Sequence, residues 1–287
     1  MSKRRIGVIG GSGLYELDGL KNRRWSELVT PWGAPSDAIL TGELDGVEMA
    51  FLPRHGRGHT IPPGELNARA NIAALKQLGC TDLLSISAVG SLQEALSPGT
   101  FVVVDQYIDR TVARPSFFGP GIVAHVSLAD PVCPRLSDLA FKAGQASGAS
   151  MVQGGTYVAI EGPQFSTRAE SRLFRSWGCD VIGMTGMPEA RLAREAELPY
   201  ACVGMVTDYD CWRAHTADVQ VTDVLAILKS NAAAARDLLR TLVRSLPERR
   251  EPSPIDTTLD IAIITPPDLW EPVLKAKLAT ICPRKFA

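Results

Sequence analysis

Seven short apolar runs recur along the chain, and most of them are separated by stretches with the pattern of a helix. We expect the runs to form strands over residues 6–9, 47–52, 82–88, 101–107, 155–160, 180–184 and 201–206. The stretches between them predict helices over residues 65–78, 135–147, 167–177, 188–197 and 221–245. Strands that alternate with helices favour a mostly parallel sheet covered on both faces, so the sequence predicts an α/β fold.

Length and charge narrow the class of protein. The chain has 287 residues and a net charge of −1. The near-neutral balance argues against a nucleic-acid groove, which needs a basic surface. No apolar run reaches the roughly 18 residues of a membrane span, and residues 6–9 are too short for the core of a signal peptide. The six cysteines are scattered without zinc or redox spacing, so we expect reduced thiols and a cytoplasmic protein.

The C-terminal part of the chain differs from the rest. A charged, proline-rich stretch over residues 247–254 follows the longest predicted helix. Beyond it, residues 259–264 and 269–278 have the pattern of an ordered tail with a short helix. We therefore divide the chain into a main domain at residues 1–245 and a linker and tail at residues 246–287. The tail is expected to dock on the same domain or on a neighbouring subunit.

Two acidic residues, Asp208 and Asp210, follow the apolar run at residues 201–206. Ligands of open α/β sheets bind outside the carboxyl ends of the strands. Side chains two residues apart in an extended segment point the same way, so the two carboxylates can address one edge of a ligand. Such a pair suits a nitrogen heterocycle with an N–H or amino group. The alternative is a turn with two solvated acids.

A glycine-rich turn over residues 10–14, with Ser12 at its centre, follows the first predicted strand. Glycines let backbone N–H groups turn towards an anion, and the hydroxyl adds another donor. The order is not G-x-G-x-x-G, and the lysine of a Walker loop is missing. The turn is therefore either an anion-binding loop of another kind or a tight exit from the strand.

A loop over residues 54–59 contains two arginines and two histidines and follows a predicted strand. An arginine presents a planar fork that matches phosphate oxygens, and a histidine can hold a proton near neutral pH. Arg54 and His55 are therefore candidates for an oxyanion site, with a surface charge cluster as the alternative. A metal site is disfavoured because no nearby carboxylate completes a ligand set of normal spacing.

Other strand ends also carry candidate ligand contacts. Ser87 and Ala88 lead into a turn of small residues, and small residues let the backbone approach a ligand closely. Phe165 precedes a predicted helix and could stack on a flat ring. Thr185 can bind an anion near the start of a helix, and Met184 offers a soft apolar contact. Plain strand exits and a capped helix explain most of these residues without a ligand, but they do not explain an aromatic residue just before the cap.

These segments occur together and in order, and as a set they resemble the 5′-methylthioadenosine phosphorylases of the trimeric purine nucleoside phosphorylase superfamily. The tracts that carry the resemblance are Gly10–Leu14, Arg54–Ile61, Ile160–Ser171, Val181–Glu189 and Thr207–Trp212. The resemblance implies a single-domain α/β fold with a mixed, mostly parallel β-sheet and a distorted barrel flanked by helices. It also implies a homotrimer or a hexamer built as a dimer of trimers.

The reaction implied by the resemblance is phosphorolysis of 5′-methylthioadenosine to adenine and 5-methylthioribose 1-phosphate. Phosphate would be a co-substrate, and no cofactor and no metal are expected. The implied phosphate-binding residues are Ser12, Arg54, His55, Ser87 and Thr185. The implied nucleoside-binding residues are Ala88, Phe165, Ser166, Met184, Asp208 and Asp210, together with His125 from a neighbouring subunit. Arg54 would clamp phosphate with two N–H groups, Asp208 would share a proton with the purine N7, and Asp210 would accept from the 6-amino group.

Two acceptors at the 6-position of the base favour adenine, because a 6-oxopurine needs a donor there. The alternative is a purine nucleoside phosphorylase or methylthioinosine phosphorylase acting on a 6-oxopurine nucleoside. A nucleoside hydrolase would use water and would not need the anion-binding residues. A non-catalytic nucleotide-binding module would bind without turnover. The expected partners are a small-molecule nucleoside and phosphate, with no nucleic acid and no membrane.

Overall fold

The computed structural model describes residues 4–11, 13–213 and 221–287. Eleven strands form one sheet: β1 (Arg5–Gly10), β2 (Lys21–Ser26), β3 (Ile39–Leu44), β4 (Val47–Pro53), β5 (Asp82–Ser91), β6 (Thr100–Val104), β7 (Gln106–Asp109), β8 (Ser150–Gln153), β9 (Thr156–Ala159), β10 (Val181–Gly183) and β11 (Tyr200–Asp208). The helices of the described residues are α1 (Ala68–Gln77), α2 (Pro134–Ala146), α3 (Arg168–Ser176), α4 (Gly186–Glu195), α5 (Val221–Ser245), α6 (Leu259–Ala262), α7 (Pro272–Ala279) and α8 (Pro283–Phe286).

The sheet branches at β5. This strand pairs in parallel with β1 and β11 and, near its carboxyl end, antiparallel with β10. One arm continues from β1 through β4 and β3 to β2, a second from β10 through β9 to β7, and a third from β11 through β6 to β8. Parallel pairings outnumber antiparallel ones, which confirms the mixed, mostly parallel sheet. Among the described strands the arms do not join, so the sheet is not closed into a complete barrel.

The central strands are apolar along their whole length because helices cover both faces of the sheet. Every residue of β6 is buried, as are all residues of β11 before Asp208, which is typical of strands covered on both sides. Successive residues of β1 point into different cores: Ile9 packs with α1 and α4, and Val8 with α2 and α5. The alternation of side chains along a strand thus separates two hydrophobic layers.

The predicted strands all correspond to strands of the sheet, but β2, β3 and β8 were not predicted. In β2 five of the six residues are exposed, so the strand lacks an apolar pattern. The run at residues 101–107 was predicted as one strand and is two. Asp105 lies between β6 and β7, where its carboxylate accepts the backbone N–H of Gly155 at 3.0 Å. After Asp105 the chain turns away from β6 and continues as β7, which pairs with β9.

The predicted helices are present; the helix predicted at residues 221–245 agrees with α5, and the others have shifted ends. The helix expected to start at residue 65 begins at Ala68, because the Asn67 side chain caps it by accepting the N–H of Ala70. This asparagine satisfies one of the N–H groups that the first turn leaves without a partner. The bounds of α4 start at Gly186, but Met187 has an extended backbone (φ −112°, ψ +135°), so the regular helix begins at Pro188 as the sequence indicated. No helix of the described residues is long and apolar enough to cross a membrane.

The tail packs on the sheet-bearing part through one buried carboxylate. Glu197 is 6% exposed and accepts Nε of Arg284 at 2.7 Å and the backbone N–H of Leu259 at 2.8 Å. The Cys282 thiol donates to the same carboxylate at 3.1 Å. Phe286 is 2% exposed and belongs to the core cluster that α1 and α4 line. The division of the chain at residue 245 itself stays a prediction.

Arg284→Ala is expected to lower the free energy of unfolding by about 1 to 2 kcal/mol, because it leaves the buried Glu197 carboxylate without its cation while the exposed side of the pair is screened by water. Lys142→Ala removes an exposed ion pair with Asp138 and should cost less than about 0.5 kcal/mol. Urea unfolding of both variants measures the difference. Equal losses would show that the tail is not anchored by this pair.

Candidate active site

The candidate site is assembled around the carboxyl end of β5, where β1 and β11 run parallel to it and β10 runs antiparallel. Ser87 on β5 and Thr185 after β10 are both buried, and their hydroxyl oxygens lie 3.2 Å apart. The hydroxyl of Tyr157 accepts the backbone N–H groups of Thr185 and Gly186 at 3.4 Å each. Two residues predicted to bind phosphate are therefore brought together, and their backbone is held by a buried tyrosine.

The turn after β1 approaches the same place. The backbone N–H of Arg54 donates to the Gly10 carbonyl at 2.9 Å, which ties the ends of β1 and β4 together. A Cβ on Gly10 would lie 2.4 Å from Cδ1 of Leu14 and 3.1 Å from the Ile86 carbonyl oxygen. Only glycine allows the turn to pack this closely on β5. Ser12, the predicted hydroxyl donor of this turn, lies outside the described residues.

Arg54 corrects one prediction. Its side chain is buried, and its fork faces Glu189 of α4: Nε lies 2.6 Å from Oε1 and Nη2 lies 3.2 Å from Oε2. Nη2 also donates to Ser85 at 2.7 Å, and Nη1 donates to the Ile86 carbonyl at 2.9 Å. The two-pronged clamp expected for phosphate is thus made with a carboxylate of the protein. A contact between Arg54 and phosphate stays a prediction, but the predicted two-pronged clamp is no longer part of it.

His55 is held as a neutral ring. Its Nδ1 lies 2.9 Å from the Ile61 carbonyl oxygen, so Nδ1 carries the hydrogen and Nε2 keeps a lone pair. Burial, together with the neighbouring Arg54 charge, lowers the pKa of His55 to about 4. The ring stacks on His59 with centroids 4.3 Å apart. His55 therefore presents a neutral acceptor at neutral pH.

The acid pair lies where β11 ends in an irregular register opposite Gly90 of β5. Oδ1 of Asp208 accepts the N–H of Asp210 at 2.7 Å, and Oδ2 accepts the Thr207 hydroxyl at 2.7 Å. Asp210 is 7% exposed, and its Oδ2 has no hydrogen-bond partner among the described residues. A buried carboxylate oxygen without a partner is costly and indicates a place for a donor on a ligand.

Burial sets the protonation of both acids. It raises the pKa of Asp208 and of Asp210, and the charge of Asp208 raises that of Asp210 further. The nearby Ser171 hydroxyl of α3 offsets part of this rise at Asp210, but it is not aligned for a hydrogen bond, since Ser171 Oγ and Asp210 Oδ2 both lack a partner among the described residues. Ser171 was not among the predicted residues, because its position in a capped helix gave no sign of a contact with a strand end. The pair is suited to holding a proton at higher pH than ordinary carboxyls.

The backbone around the acids is also specialised. Asp210 has φ of +50°, a left-handed conformation that aspartate adopts more readily than most residues. A Cβ on Gly90 would lie 3.1 Å from Oδ1 of Asp208 and 3.4 Å from Cβ of Asp210. Trp212 anchors the end of the segment: its Nε1 donates to the Ser91 carbonyl at 2.8 Å, and Arg175 lies 3.8 Å above its ring. These contacts hold in place the backbone segment that carries the two carboxylates.

The residues predicted to contact the nucleoside surround these groups. Ala88 is the one exposed residue of β5, so the buried strand opens at this point. Phe165 is 51% exposed, and the buried Ser166 hydroxyl lacks a partner among the described residues. Met184 packs against Gly162, whose Cβ would lie 2.4 Å from its sulfur. Met184, Thr185 and Glu189 also line one cavity, together with Glu161 and several residues from the segments 63–71 and 111–115.

His125 lies in an exposed tract between β7 and α2, so it does not directly follow a strand. Its backbone N–H donates to the Ala262 carbonyl of the tail at 2.9 Å, and its side chain is exposed. The structure of a single chain thus places it at the surface. The described residues contain no cluster of three or more side chains that could hold a metal ion.

Comparison with known proteins gives the family. A family model described as the phosphorylase superfamily matches residues 5–244. The S-methyl-5′-thioadenosine phosphorylase of Cereibacter sphaeroides is 57% identical over 285 residues, which is 98% of each chain. The enzyme of the same name from Rhodospirillum rubrum is 54% identical and covers 97% of this chain and 96% of its own. The chain belongs to the methylthioadenosine phosphorylase family. This membership confirms the resemblance found in the sequence.

Solved structures of the methylthioadenosine phosphorylase family share the fold. A methylthioadenosine phosphorylase from an antarctic soil metagenomic library superposes with a TM-score of 0.92 at 46% identity, over 99% of this chain and 100% of that one. The Schistosoma mansoni enzyme in complex with adenine gives a TM-score of 0.82 at 35% identity, over 97% of both chains. The agreement over the whole length includes the tail, where the sequence resemblance was weak.

The neutral His55 predicts a pH dependence of stability. Its pKa is about 4 when folded against 6.5 in the open chain, so the unfolded chain binds more protons between these values and stability falls as the pH falls through this window. His55→Asn removes this contribution, on the order of 1 kcal/mol after solvent screening. Urea unfolding at pH 8 and pH 4.5 should show a smaller loss in the variant. Equal losses would mean that His55 is not buried as a neutral ring.

Proposed function

We propose that the protein catalyses phosphate-dependent cleavage of 5′-methylthioadenosine to adenine and 5-methylthioribose 1-phosphate. The observation that carries this proposal is that two groups lie along the carboxyl-terminal part of β5: the hydroxyl pair of Ser87 and Thr185, and, opposite Gly90, the acid pair with an unpartnered oxygen on Asp210. The first suits an anion and the second suits a base with an amino group. Family relatives named for this activity at 57% and 54% identity support it.

Phosphate is assigned to the hydroxyl side of the site. Ser87, Thr185 and Ser12 would donate to its oxygens, and Nε2 of the neutral His55 ring would accept from the P–OH of monohydrogen phosphate. Phosphorolysis builds positive charge on the sugar while the phosphate oxygen approaches the anomeric carbon. A phosphate held by neutral donors keeps its own charge available to stabilise that cation, which is stabilisation realised in the transition state. Phosphate is a co-substrate, and no further cofactor is part of the proposal.

The base is assigned to the acid side. The leaving purine gains electrons and needs a proton or a hydrogen bond at N7, which Asp208 would supply as general acid, since burial raises its pKa. Asp210 would accept from the 6-amino group through the oxygen that lacks a partner. Ala88, Phe165 and Ser166 would line the purine. Met184 would contact the ribose.

We further propose that the active form is a homotrimer or a dimer of trimers in the cytoplasm. His125 is exposed next to the tail, and apolar side chains of the same region are exposed as well: Val123, Ile261, Ile264, Leu269 and Val273. Large exposed apolar groups that lie near one another are typical of interfaces. Each site would then receive His125 from a neighbour, and a monomer would be poorly active.

The proposal is tested by base release from methylthioadenosine, adenosine, methylthioinosine and inosine, each with and without inorganic phosphate. The expected result is adenine release that requires phosphate and is fastest for methylthioadenosine. Hypoxanthine release at a higher rate would reassign the protein to the 6-oxopurine enzymes. Release without phosphate would reassign it to the hydrolases, and binding without release would leave a non-catalytic module.

Replacement of Asp208 and Asp210 tests whether these two acids recognise a 6-aminopurine. Asp208→Asn with Asp210→Asn exchanges two acceptors for amide groups that also donate, so we expect kcat/KM for methylthioadenosine to fall by at least about 100-fold. Activity on methylthioinosine should fall less or rise. The measurement is steady-state kinetics with both nucleosides at saturating phosphate. An unchanged preference between the two substrates would contradict the assignment of the pair to the 6-position.

A further inference from the structure

We propose that Glu189 is a positioning residue for the phosphate site: by holding Arg54 it fixes the three chain segments that carry the phosphate-binding groups. This inference rests on the proposed function, since it concerns the phosphate of that reaction. Glu189 ends the tract Val181–Glu189, in which the resemblance implies roles for Met184 and Thr185 but none for Glu189. In the structure it is 3% exposed and forms the buried partner of Arg54, which is 2% exposed.

The orientation of the Glu189 carboxylate is determined by four donors. Arg54 provides two, at 2.6 Å to Oε1 and 3.2 Å to Oε2. The Ser85 hydroxyl donates to Oε2 at 3.0 Å, and the Tyr200 hydroxyl donates to the same oxygen at 3.3 Å. A buried carboxylate with this many donors has one favoured position. The carboxylate in turn raises the pKa of Arg54 against the effect of burial, so the Arg54 guanidinium stays charged.

The other contacts of the Arg54 side chain reach the segments that lead to the site. Nη2 donates to the Ile9 carbonyl at 3.2 Å, one residue before the glycine turn. Nη1 donates to the Ile86 carbonyl at 2.9 Å, one residue before Ser87. Glu189 itself lies in the first turn of α4, four residues after Thr185. A single guanidinium therefore connects the glycine turn, Ser87 and the start of α4.

The cost of this arrangement argues for a role beyond stability. A buried ion pair gains little over apolar side chains of the same volume, because both charges are removed from water. What the pair supplies is a fixed geometry among strand ends that are far apart in sequence. The groups that face the phosphate must be placed within fractions of an ångström, and small displacements from a distance lower catalysis strongly. The ion pair is suited to that task.

The experiment compares Glu189→Gln and Glu189→Asp with Glu195→Gln in the full-length protein. Glu195 is a matched control, because it is a buried glutamate of the same helix that accepts Ser116 and Phe117 instead of Arg54. We expect the Glu189 variants to raise the KM for phosphate by at least about 10-fold, with the KM for the nucleoside changed by less than about 2-fold. The increase in Tm that phosphate produces should shrink in parallel. Glu195→Gln should lower Tm without changing the ratio of the two KM values.

Ser85→Ala keeps the inference testable if the Glu189 variants do not fold. It removes one hydroxyl from the network and leaves the ion pair, so the KM for phosphate should rise by about 5-fold. A folded Glu189 or Ser85 variant with an unchanged KM for phosphate, or with both KM values raised equally, would overturn the inference. A lowered KM for phosphate would overturn it too, since the released Arg54 fork would then bind the anion itself. Wild-type protein without phosphate-dependent turnover would instead refute the proposed function.

Discussion

The three-way pairing of β5 is the constraint on which the site depends. Because β5 is hydrogen-bonded to β1, β11 and β10, a residue on any of these strands has a fixed distance from Ser87. The anion side of the site forms where β1, β5 and β10 end, and the base side forms where β11 reaches Gly90. A slip of one residue in either pairing would turn every side chain to the opposite face. The two halves of the site therefore share one register.

The sequence was sufficient for the parts of the fold that repeat a local pattern. Buried strands such as β11 are continuous apolar runs, and α3 begins with a capping box at Thr167 and Glu170. It was insufficient for β2, whose residues are mostly polar and exposed and which is a strand only because β3 lies beside it. Whether such a polar segment forms a strand depends on the strand beside it and not on its own sequence pattern.

The candidate site residues also differ in whether a local sequence pattern predicts their contacts. Asp208 and Asp210 could be proposed from the sequence because their place after a buried strand is a local property. The partner of Arg54 could not, since Glu189 lies 135 residues further along the chain and no local pattern joins them. An arginine after a strand has the same appearance in sequence whether its fork meets a ligand or a buried carboxylate. Burial of the guanidinium separates the two cases, and burial is a property of the folded chain.

The left-handed backbone at Asp210 restricts which side chains can replace it. With φ of +50°, β-branched and bulky residues are strained there, whereas asparagine and glycine are tolerated. Asparagine has nearly the shape of aspartate and differs by offering a donor. The position is thus open to the one exchange that alters hydrogen-bond polarity and closed to most others. Divergence of base preference within this architecture has a route through residue 210 that leaves the backbone unchanged.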